Sequence, residues 1–146
     1  MEKIKEYWKT QECVTLQAGN CQLLLDKFAA QYEIKLPPDF TDYLLTIDGM
    51  HLSEMDKNGF CFLPLQAIQL TRSYHIDTAN FPDAESYFVF ADYFQKSWWY
   101  AMRLTDERKT ENTVLGIGWE RPKYIASSFT EFIELYLVDQ ARLYGD

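Results

Sequence analysis

The stretch YFVFADYFQKSWWYAMRL, from Tyr87 to Leu104, limits the folds open to this chain more than any other segment. YFVFA is a continuous apolar run too short for a helix, and the turn cluster NFPDAES before it marks it as a central strand. SWWYAMRL follows DYFQK as a second strand, so the two form a hairpin or lie as near neighbours. Alternate side chains of a strand point to opposite faces. Trp98, Tyr100 and Met102 therefore share one face, and Trp99, Ala101 and Arg103 the other. Phe88, Phe90 and one face of SWWYAM are expected to pack beneath helices as core. One of Trp98 and Trp99 must then face away. Beside Asp92 it is either an anchor for a partner, as tryptophans at interface centres are, or a side chain covered by the N-terminal helix or a loop.

The helices expected around these strands come from the two ends of the chain. Ile4, Tyr7 and Trp8 lie on one face of a short first helix, and Cys21, Leu24, Leu25, Phe28, Ala29 and Tyr32 fall on one helical stripe of a second. LPPDFTDYLLTIDGM is punctuated more firmly. Pro37 and Pro38 stop the preceding element and enter a new first turn, and Asp39 and Asp42 suit the positive end of its dipole. Phe40, Tyr43, Leu44 and Ile47 make its buried stripe, and Gly49 supplies a left-handed exit. Further strands are expected at Phe60–Leu63 and in TVLGIGW, with LQAIQL as a helical turn and KYIA leading into the last element. That element opens on Ser128 and Glu131, an S-x-x-E cap, and carries Phe129, Phe132, Ile133, Tyr136 and Leu137 as its stripe. Helices at both ends and strands between them imply an α+β fold of one domain, residues 1–146, with about four to six strands.

Charge and composition narrow the function classes. The net charge of −8 is concentrated between positions 36 and 99, where nine acids face three bases, a sum of −6. Such a surface repels nucleic acid and steers a basic protein toward it. Cys13, Cys21 and Cys61 match no disulfide or zinc spacing and are expected as free, partly buried thiols. No run approaches membrane-spanning length and the first residues show no secretory pattern, so a cytoplasmic location is the expectation. Gly116 and Gly118 give G-x-G, but Arg121 and Pro122 follow where a dinucleotide loop needs another glycine and a helix. There is no nucleophile elbow or phosphate loop, so neither catalysis nor a cofactor nor a metal is expected.

The order of LPPDF, YLLTIDG, FLPLQAI, VFADYFQKSWWYAM and IASSFTEFIELYL resembles the SUKH superfamily, over roughly Leu23 to Val138. The leucine-proline and the Asn-Gly helix exit of that family correspond to Leu36, Pro37 and then Asp48, Gly49, and its serine-phenylalanine helix start to Ser128 and Phe129. Where the family often has Gly-Asp in the hairpin, DYFQKS stands here. The superfamily includes fungal cell-wall-synthesis regulators and many bacterial immunity proteins. The resemblance implies a twisted, mainly antiparallel sheet with helices packed against it, and partner binding rather than catalysis. The function expected is neutralisation of a cognate polymorphic toxin, a nuclease being one candidate, through a basic protein surface. The alternative is a regulatory or scaffold domain. Chosen by charge and expected exposure, the candidate contact residues are Asp48, Glu54, Asp56, Asp92, Trp98 and Trp99.

Overall fold

A computed structural model describes residues 1–107 and 111–144. Arg108, Lys109 and Asp146, which enter the charge balance of the chain, lie outside the described residues. The elements run α1 Glu2–Lys9, α2 Gln22–Tyr32, α3 Pro38–Thr46, β1 Phe60–Phe62, β2 Gln69–Leu70, β3 Tyr87–Tyr93, β4 Trp98–Arg103, β5 Val114–Ile117, β6 Lys123–Ala126 and α4 Phe129–Val138. Short 3-10 turns lie at Leu65–Ala67, Thr71–Tyr74, Ala84–Ser86 and Gln140–Leu143.

The apolar run of β3 is the centre of an antiparallel sheet in the order β1-β3-β4-β5-β6, and β2 shares the β1 edge of β3. Continuous burial from Tyr87 to Asp92 follows from having neighbours on both edges and cover on both faces. The register slips between Val89, opposite Ala101, and Ala91, opposite Tyr100. Phe90 is the extra residue of this β-bulge. It projects into the helical layer, 5.5 Å from Phe129 and 5.1 Å from Phe132 between ring centres. Beyond the bulge Tyr93 pairs with Trp98 and Asp92 with Trp99. Tyr93 and Trp98 stack at 4.3 Å, and Tyr100, two residues from Trp98, meets Phe132 of α4. Asp92 and Trp99 therefore share the opposite face.

The helical layer is an aromatic core. Phe40 of α3 stacks on Phe129 of α4 at 4.9 Å, and Trp8 of α1 meets Phe62 at 5.1 Å. Asp39 joins two helix starts: its Oδ1 accepts from the Phe40 backbone N–H, and its Oδ2 accepts from the Thr130 N–H and hydroxyl, each at 2.9 Å. The Ser128 hydroxyl accepts from the Glu131 N–H as expected, while the Glu131 carboxylate returns to Ser127, one residue earlier than an ordinary capping box.

Four local expectations change. In α2 only Leu25 and Phe28 are buried; Leu24 is 47% exposed and Cys21 is the exposed N-cap, because the helix leans on Phe88 through Phe28 and Tyr32. The turn after Pro64 ends in β2, whose two residues pair with Val89 and Phe88. KYIA is itself strand β6. Gly49 is left-handed, with φ +60°, yet α3 stops at Thr46 and Ile47 is extended. The glycine instead lets the chain run against β1, where an added Cβ would lie 2.6 Å from the Leu63 carbonyl oxygen.

Candidate partner-binding site

On the face of the sheet away from the helices, the loop after α3 and the β3–β4 hairpin enclose an open cavity of about 530 Å³. Leu52, Met55 and Leu63 form its apolar wall, and Glu54, Asp92 and Lys96 bring charge to it, with Ser53, Cys61 and Gln95 between them. Strand alternation sends Cys61 into this cavity while Phe60 and Phe62 face the helices, and register places Cys61 opposite Asp92. Burial, then the nearby Asp92, Glu54 and Asp56 carboxylates, push the Cys61 thiol up to about 12. It remains a protonated, unreactive thiol at neutral pH.

The hairpin has an unusual backbone. Phe94, Gln95 and Lys96 have φ of 45°, 55° and 65°, three successive non-glycine residues in the left-handed region. Ser97 closes the turn, its N–H donating to Tyr93 O at 2.9 Å and its hydroxyl to Phe94 O at 2.8 Å. The Lys96 N–H donates to Asp92 Oδ1 at 3.3 Å. Burial raises the Asp92 pKa, against the opposing effects of that bond and of the Lys96 charge.

The six residues singled out from the sequence take different places. Glu54 and Asp92 meet in the cavity. Glu54 accepts from the Thr15 N–H at 2.8 Å and hydroxyl at 2.6 Å; partial burial works upward on its pKa, but these bonds outweigh it and hold it low. Asp48 is half-buried, and its Oδ1 accepts from Asn20 Nδ2 at 2.9 Å and from the Leu65 N–H at 2.8 Å. Asp56 is 3% exposed. Its Oδ1 accepts from the N–H groups of Asn58 and Phe60, and its Oδ2 accepts from the Tyr136 hydroxyl, which in turn accepts from Trp8 Nε1 at 2.9 Å. Both carboxylates are engaged inside the fold.

Neither tryptophan stands free. Trp98 lies between Tyr93 and Trp119, and its Nε1 donates to the Tyr100 hydroxyl at 2.8 Å. Trp99 is partly covered, its indole N–H buried without a partner among the described residues. Its cross-strand neighbour Ile117 lines a small cavity with Asn80 and Phe81. A loop between β2 and β3 thus covers part of this face, whereas α1 packs on the helical side through Trp8 and Tyr136. Sequence reading missed Leu52, Met55, Leu63, Gln95 and Lys96 as neighbours of Asp92. The single available signal was a hairpin, DYFQKS, with no glycine in it.

Among the described residues no helix is long and apolar enough to cross a membrane, and no three His, Cys, Asp or Glu side chains gather as a metal site. None of the curated proteins compared with the chain matches it. The model of the SMI1 / KNR4 family (SUKH-1) matches residues 22–135, from the first residue of α2 into the last helix, and so spans the whole sheet and both walls of the cavity. By that match the chain belongs to the SMI1 / KNR4 family (SUKH-1).

Proposed function

We propose that this protein is a cytoplasmic immunity-type protein that neutralises a cognate polymorphic toxin by binding it, without catalysis of its own. Membership of a SUKH family, which includes toxin-immunity proteins, is the observation that carries the reading. The acidic middle segment adds to it, because a net −6 between positions 36 and 99 suits a toxin with a basic active groove, a nuclease above all. The contact surface we propose is the mouth of the cavity, with Glu54 and Asp92 supplying charge. Asp48 and Asp56 brace it from within. Trp98 and Trp99 stiffen the hairpin beside it.

The test is co-expression of the chain with the C-terminal toxin domain encoded beside its gene. Growth should be rescued, and the two proteins should purify together in low salt and separate progressively in high salt, as a steered, charge-complementary complex does. Absence of both rescue and complex would sink the immunity reading and favour the regulatory scaffold.

A further inference from the structure

Of the four acids singled out from the sequence, three have their carboxylates occupied, by two or three hydrogen bonds each within the fold. Asp92 does not. It is 6% exposed, it opens into the cavity, and Oδ1 accepts one long bond at 3.3 Å from the Lys96 backbone. Among the described residues Oδ2 has neither a hydrogen bond nor an ion pair. A carboxylate this buried is ordinarily matched by a donor or a cation.

We propose that the cavity receives an arginine side chain of the protein partner, with its guanidinium bonded to Asp92 and its methylenes lying on Leu52, Met55 and Leu63. The supposition of a protein occupant rests on the immunity reading above; the chemistry of the cavity is separable from it. Guanidinium fits because its planar fork matches a carboxylate, it stays charged, and it gives up water more readily than an ammonium. The long apolar stem of arginine suits a cavity that is charged at its floor and greasy along its wall. Glu54, whose oxygens already accept from Thr15, adds attraction rather than a bond. Lys96 is the opposing charge at the mouth, exposed and without an ion pair among the described residues.

Two measurements on the full chain test this. In the first, the amide resonances of Asp92, Gln95 and Lys96 are followed while N-acetyl-Gly-Arg-Gly-amide or its neutral citrulline counterpart is added. The arginine peptide should shift them saturably and the citrulline peptide should not. Asp92→Asn should abolish the response, and Lys96→Gln should tighten it about two- to fivefold. In the second, the toxin domain is titrated with wild type and with Asp92→Asn, whose folding is verified by thermal melting. Its affinity for the variant should fall at least about thirtyfold. Equal response to the two peptides, an arginine response that survives Asp92→Asn, or equal toxin binding by both proteins overturns the arginine site. An arginine-specific response in a chain that binds no toxin would sink the immunity reading alone.

Discussion

Asp56 and Asp92 are 3% and 6% exposed, and what surrounds each decides its effect on stability. Asp56 is bonded by two backbone N–H groups and by Tyr136. Tyr136→Phe removes one donor from that carboxylate and the acceptor of Trp8 Nε1 together. Leaving buried polar groups unmatched costs about 1–3 kcal/mol each, so the variant should lose about 2–4 kcal/mol in urea unfolding. Asp92 has the opposite sign. Its folded pKa lies above the unfolded value, so its contribution to stability is fully favourable only below the unfolded pKa and is lost as pH rises through the folded one. Asp92→Asn should therefore melt higher than wild type at pH 7, and the gain should shrink as pH falls through the raised pKa. A melting series that shows no gain at neutral pH would contradict the burial argument. The sequence could not separate these two acids. Asp56 stands in a mixed polar stretch and Asp92 near the end of an apolar run, but neither neighbourhood shows what meets the carboxylate, and the phenol that occupies Asp56 comes from a position 80 residues away.

Helices with punctuation are legible in the sequence, and those without it are less so. LPPDF and SSFTE carry proline, capping and dipole signals that act within one turn, and α3 and α4 appear with most of their expected stripes, except that Ile47 lies just beyond α3 and Leu135 rather than Leu137 is buried in α4. In α2 the large apolar and aromatic residues are Leu23, Leu24, Leu25, Phe28 and Tyr32, so two overlapping stripes are possible; Phe88, a tertiary neighbour, selects the one through Leu25 and Phe28. The two-residue β2 is too short to have a period at all. The β3–β4 hairpin was foreseen as a connection, but its backbone was not, since left-handed residues are ordinarily signalled by glycine or asparagine. Phe94, Gln95 and Lys96 hold that conformation because the strands they join and the Asp92 carboxylate fix both ends of the turn. Gln95→Gly should accordingly stabilise the protein, by about 0.5–1 kcal/mol, as read from the urea midpoint at unchanged slope. A loss of stability would mean that the Gln95 side chain contributes more than its backbone costs.

At the scale of the molecule, the α+β architecture follows from where the periods change along the chain, and the sheet order adds what local patterns do not contain. Helices occupy one face of the sheet, and on the other the loop between β2 and β3 covers Ile117 while leaving the cavity beside Asp92 open. This asymmetry, with the acidic segment around the opening, is why the proposed contact lies there. The chain's two ends meet on the helical side: Trp8 of α1 donates to Tyr136 of α4 across a separation of 128 residues, and Tyr7 meets the same ring edge-on at 5.5 Å. Loop-closure entropy rises with separation along the chain, so we expect this contact to form late in folding. The docking of α1 should therefore be the final step of assembly and the first to be undone. Trp8→Phe should speed unfolding while leaving the refolding rate nearly unchanged, a φ-value near zero in stopped-flow kinetics. The first helix would then act as a clasp, governing how long the protein stays folded more than how quickly it folds.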